Sequence, residues 1–231
     1  GTFNGVAVLG GYSSSGTNST ANNNKVSISS GIFSGGSIYG GKSLAGTAKN
    51  NSVIISGGRF NNTEVAGGYA TNSSGKANEN SVIISGGRFT GSVYGGYADD
   101  SSGEANNNKV ILVGKNATYP LSAEQTITGS GNIEITSTVY GGLVFAGTTS
   151  GNQLHVYGSD TKVGGIDTFD NLNFYINHKM TYGDVMLTIT GNGVTDTDVS
   201  ITNNKLAVKV TGKPQASGDS TNNTITLVHN E

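Results

Sequence analysis

Apolar and polar residues alternate in short bursts that recur along the chain. Val53 and Ile55 alternate with Ser52, Ile54 and Ser56, and the pairs Val82 with Ile84 and Val110 with Leu112 repeat the pattern. A period of two sends one set of side chains to one face of a short strand. Val26, Val53, Val82 and Val110, which open these bursts, are 27, 29 and 28 residues apart. That interval is too long for a hairpin and suits one turn of a three-sided solenoid. From valine to the next aromatic the distance is constant, Val26 to Phe33, Val53 to Phe60 and Val82 to Phe89 all being seven residues. Each burst is followed by a second block with a glycine pair: AVLGGY, SIYGGK, EVAGGY, SVYGGY and TVYGGL. The stretch from there to the next valine varies in length and is rich in Ser, Asn, Gly and Ala, as an outward loop would be.

These patterns predict an all-β right-handed parallel β-helix, a three-sided β-solenoid with coils of about 27–29 residues. Stacked parallel strands lie about 4.8 Å apart, so equivalent residues should form columns. Ile38, Val65, Val93 and Val139 make one such column, and Tyr39, Tyr94 and Tyr140 its neighbour, interrupted by Ala66. An Asn two positions before each strand, at Asn24, Asn51, Asn80, Asn108, Asn152, Asn204 and Asn223, reads as a turn ladder: Asn tolerates the left-handed conformation, and stacked amides bond along the column. The glycine pairs are assigned to the opposite corner. Regular repeats are expected over residues 1–120, degenerate coils over 121–180 and a capping β region over 181–231, as parts of one continuous solenoid.

Composition sharpens this. Of 231 residues 37 are glycine, only 12% are charged and the formal net charge is -2, which argues against a helical bundle and against nucleic acid as a partner. Cysteine is absent, so stability must come from hydrogen-bond ladders and packing.

The string ISGGRFTGSVYGGYADDSSGEANNNKVIL, with YGDVMLTITGNGV downstream, resembles the passenger domains of autotransporter (type V secreted) proteins of anaerobic Gram-negative bacteria. The resemblance covers residues 20–113 and, more loosely, 181–231. It implies a passenger secreted to the cell surface and tethered to the outer membrane by a C-terminal barrel outside this sequence. It also implies an adhesin or adhesin stalk acting on a host-cell receptor or glycan, or by self-association between cells.

The expectation is a non-catalytic chain with no cofactor; the alternative is a polysaccharide-active lyase or hydrolase of pectin-lyase shape, which would need converging carboxylates, or carboxylate with Lys or Arg, in a groove. Asp160, Asp167 and Asp170 fall in turns, and His155, His178 and His229 lack the spacing of a metal site. The candidate ligand-binding residues are Tyr12, Tyr69 and Tyr97, which follow the glycine pairs beside the variable loops, with Asp99 and Asp100 in the adjoining loop. Arg59 and Arg88 join them as like charges at equivalent positions of adjacent coils.

Overall fold

A computed structural model describes residues 1–14, 19–71, 74–100, 102–191, 205–216 and 224–231. Among these the chain is all-β, and its strand ladders run parallel except for one antiparallel hairpin, Thr118–Pro120 with Thr126–Thr128. A seven-stranded sheet aligns Lys25–Ile28, Ser52–Ile55, Ser81–Ile84, Lys109–Val113, Gln153–Tyr157, Asn171–Ile176 and Lys205–Val210 in chain order. A ten-stranded sheet contains the segments that carry the phenylalanines and glycine pairs, from Thr2–Ser13 to Thr226–Asn230.

Register puts like residues in columns. Val26, Val53, Val82, Val110, Leu154 and Leu172 are successive partners in the first sheet. Phe3, Phe33, Phe60, Phe89, Ile135, Val163 and Ile189 are successive partners in the second. Ile38, Val65, Val93 and Val139 form a further column, and all three face one core. The phenylalanine rings stack at 4.8, 5.1 and 4.5 Å between centroids, adding about 0.5–1.5 kcal/mol per pair to the burial itself.

The expected three-sided solenoid of even coils is corrected. Three segments, Thr2–Ser13, Ile32–Ser43 and Ile133–Val144, each run as a single 12-residue strand. Ile32–Ser43 pairs with Arg59–Asn61 through its first half and with Glu64–Thr71 through its second, and Ile133–Val144 does the same with Gly87–Phe89 and Val93–Asp99. The pairings therefore close into a barrel-like ring of six parallel strands. What would be a third side is reduced to the two-residue strands Ser19–Thr20 and Gly46–Thr47 and single bridges through Lys76, Glu104 and Thr148, because Ser, Asn and Gly there supply no strand-forming run. The period also fails: from Val110 to Leu154, Leu172 and Leu206 the steps are 44, 18 and 34 residues.

The asparagine ladder is continuous but works differently from the expectation. Nδ2 of Asn24, Asn51, Asn80 and Asn108 donates to Oδ1 of the next Asn at 2.9, 3.1, 3.2 and 3.2 Å, ending on Asn152. Each Oδ1 also accepts the backbone N–H of the preceding ladder residue, at 2.9 Å in all four cases. Asp170 terminates the column by accepting Asn152 N–H at 3.0 Å. The left-handed residues are those just before the ladder, Asn23, Asn50, Glu79 and Asn107, and the ladder asparagines themselves stay outside that region. Asn204 and Asn223 lie outside the described residues.

The glycine pairs do not serve an opposite corner. They lie against this ladder: a Cβ on Gly68 would sit 2.5 Å from Asn80 Nδ2, and one on Gly96 2.6 Å from Asn108 Nδ2. Glycine is thus required for close approach, while positive φ is required elsewhere.

Candidate functional site

Residues that flank a glycine pair inherit a fixed position from it. Ile38, Val65, Val93 and Val139 point into the core and are fully buried, so the next residue along, Tyr39, Ala66, Tyr94 or Tyr140, points outward. Past the glycines the outward position recurs as Lys42, Tyr69, Tyr97 and Leu143. Ala66 leaves space in the first of these columns, and Tyr69 closes on Tyr39 across it, the centroids being 4.8 Å apart. Tyr69 to Tyr97, Tyr97 to Tyr94 and Tyr94 to Tyr140 follow at 5.0, 5.0 and 5.2 Å. Five rings thereby form one unbroken shelf on the outside of the ten-stranded sheet.

Polar groups hold the shelf in place. The Tyr39 hydroxyl donates to Glu64 Oε2 at 2.9 Å; Asp99 accepts from Tyr69 at 3.1 Å and from Tyr97 at 3.4 Å. Lys42 Nζ stands 5.1 Å from the Tyr69 ring centroid and 5.7 Å from that of Tyr39, within cation–π range. Burial, reinforced by the adjacent carboxylates, raises the hydroxyl pKa of Tyr39 and Tyr69 and pushes that of Tyr97 up to about 12, so all three remain donors. Tyr39 and Tyr94 are buried in this stack, and the half-buried rings of Tyr69, Tyr97 and Tyr140, with an ammonium and two carboxylates beside them, are the part that can pack against the apolar face of a sugar ring and hydrogen-bond its hydroxyls.

The seven candidate residues separate. Tyr69, Tyr97 and Asp99 meet in the shelf, with Asp100 part-buried at the following bend. Tyr12 is in register with Lys42 but is 55% exposed and outside the stacked path. Arg59 and Arg88 occupy another part of the same sheet, paired to each other in register. Their like charges are drawn apart: Arg88 Nε binds Glu134 at 2.9 Å and Arg59 Nε donates to Asn61 at 3.1 Å. The cleft beside Arg88, about 840 Å³, also holds Lys162 and Asp160. Its two carboxylates are both engaged in ion pairs, Glu134 with Arg88 and Asp160 with Lys115 at 3.4 Å.

No family model, curated protein or solved structure matches the chain. Function therefore rests on the site itself. Tyr39, Tyr94 and Tyr140 were read from the sequence as a packing column only, and Lys42 and Glu64 were not singled out. The signal that links them is Y-G-G-Y in SVYGGY, where two aromatics bracket the glycine pair and both project outward. Among the described residues no group of three or more His, Cys, Asp or Glu is placed to hold a metal ion.

Proposed function

We propose that this chain is a non-catalytic adhesive module of a bacterial cell surface, of autotransporter passenger type, and that it binds host-cell saccharide through the tyrosine shelf. The observation that carries the reading is the unbroken run Tyr39–Tyr69–Tyr97–Tyr94–Tyr140 with Lys42, Glu64 and Asp99 at its edge. Aromatic rings supply contact area at low entropy loss because only two torsions are fixed on binding. Display on an outer membrane follows from the passenger resemblance of residues 20–113 and 181–231.

The test is binding of the purified chain to a glycan array and to epithelial cells, with Tyr69→Ala/Tyr97→Ala and Tyr12→Ala variants whose circular dichroism matches the parent. Saturable binding that is lost in the double variant and retained in Tyr12→Ala is the expected result. Binding equal in the parent and the double variant, or absent from both, overturns the proposal.

A further inference from the structure

A second aromatic group lies on the outer face of the seven-stranded sheet. Tyr157 and Tyr175 are register partners whose rings are parallel within 4° at 4.0 Å, and Tyr119 from the hairpin meets Tyr157 edge-on at 5.4 Å. The hairpin is held there by apolar contacts: Tyr119, Leu121 and Ile127 pack on a cluster that includes Ile83 and Ile111. Between the hairpin, the paired tyrosines and the strand Lys205–Val210 is a cleft of about 390 Å³, within the range of small-ligand sites.

Stacking and hydrogen bonds orient the two rings. Tyr157 lies face to face on Tyr175. Tyr175 is in turn 2.9 Å from His155 Nδ1, and His155 Nε2 is 3.0 Å from Gln153 Oε1. Gln Oε1 only accepts, so Nε2 carries the proton and Nδ1 accepts from Tyr175. Burial and the nearby Lys109 ammonium lower the His155 pKa to about 4, which keeps the ring neutral and this polarity in force. Such a network fixes the pair, whose facing surfaces are taken up by each other, so the platform presented is the Tyr175 face toward Lys209.

The charges around the cleft have one sign. Lys179 and Lys209 line it together with the imidazole of His178, the amides of Asn116 and Asn177 add neutral polar groups, and none of its lining residues among those described is Asp or Glu. Register places Lys209 directly beyond Tyr175 in the column, so an ammonium adjoins the aromatic platform. Stacking surface, amides and two ammonium groups that have no counter-ion among the described residues together match a sugar ring that carries a carboxylate.

We propose that the Tyr157–Tyr175 cleft is a second binding site, independent of the tyrosine shelf, and that it takes an acidic saccharide, a six-membered sugar ring bearing one carboxylate. The Tyr175 face toward Lys209 receives the apolar sugar face, and Lys179 and Lys209 receive the carboxylate.

Titration of the full chain with glucuronic acid, with glucose as the neutral control, tests this by proton NMR. N-acetylneuraminic acid in a parallel titration distinguishes a terminal sialyl source from a uronate source. Either acid satisfies the proposal if it binds saturably, outcompetes glucose and weakens with added salt. In a Lys179→Gln/Lys209→Gln variant with unchanged circular dichroism the acid should lose at least about tenfold in affinity, to the level of glucose. Tyr69→Ala/Tyr97→Ala should leave this titration unaltered, which separates its outcome from that of the shelf. No binding of either acid, equal affinity for glucose, or undiminished affinity in the lysine variant overturns the proposal.

Discussion

Replacing Asn80 by Ala removes the centre of the amide ladder, and the structure sets the magnitude. Asn80 Oδ1 accepts from Asn51 N–H at 2.9 Å and from Asn51 Nδ2 at 3.1 Å, while its own Nδ2 donates to Ala48 O at 2.9 Å and to Asn108 Oδ1 at 3.2 Å. Two of those partners keep another bond: Asn51 Nδ2 still reaches Ala21 O at 2.7 Å, and Asn108 Oδ1 still accepts Asn80 N–H at 2.9 Å. Asn51 N–H loses the acceptor that satisfies it, and a buried donor left so costs about 1–3 kcal/mol. With the three other lost bonds at about 1 kcal/mol each, Asn80→Ala should destabilise by about 4–6 kcal/mol. At roughly 2–4 °C per kcal/mol for a chain of this size, the melting temperature falls by about 10–20 °C. The control is Asn24→Ala at the start of the column, where the side chain donates one bond, to Asn51 Oδ1 at 2.9 Å, and the loss should be about 1 kcal/mol. Urea unfolding followed by circular dichroism measures both. Equal losses for the two variants, or a loss under about 1 kcal/mol for Asn80→Ala, would refute the ladder as a source of stability.

Two further outcomes follow from the same geometry. Gly68→Ala should cost several kcal/mol, because its Cβ meets the Asn80 amide at 2.5 Å, whereas Gly165→Ala, whose nearest neighbour is 3.4 Å away, should stay within about 1 kcal/mol; matched melting curves would sink the close-packing account. His155 has its pKa lowered to about 4 from 6.5, so the folded state disfavours its protonation and the contribution is present above pH 6.5 and lost as pH falls towards 4. Between pH 7 and pH 5 that linkage amounts to about 2 kcal/mol, reduced to about 1 by solvent at a part-buried ring, and His155→Gln should remove this part of the pH slope in urea titrations; an unchanged slope contradicts it.

The columns were legible because period-two alternation and constant valine-to-phenylalanine spacing depend only on local chain geometry. The identity of the ladder asparagines was legible for the same reason, each standing two residues before the inward-facing Val or Leu of its strand. Which residue turns left-handed was not: in the N-N pairs at 23–24, 50–51 and 107–108 either Asn could do so, and only Glu79 before Asn80 hints that the first position bears the turn. The partnership of glycine pair and ladder was also hidden, since Gly68 and Asn80 are joined across a loop of variable length. Ile54, Ile83 and Ile111, read as outward residues, are buried at 7%, 3% and 3%, in a cluster that the hairpin over residues 118–128 packs against. Nothing in a strand's own pattern announces a cover contributed from elsewhere in the chain.

Inward and outward positions of one strand type are under different demands. Inward, every described repeat meets the same demand: Ile38, Val65, Val93 and Val139 fill one column, and the glycine pair recurs unchanged because a Cβ would strike the amide ladder. Outward, the same fold accepts Tyr or Ala in one column and Lys, Tyr or Leu in the other. Packing does not require an aromatic at either place, since Ala66, Lys42 and Leu143 occupy them. Yet five tyrosines there stack into one path, and three of them, Tyr39, Tyr69 and Tyr97, donate their hydroxyls to two carboxylates. A surface whose fold leaves its residues free, and which is aromatic nonetheless, is where recognition can be altered without altering the ladder beneath it.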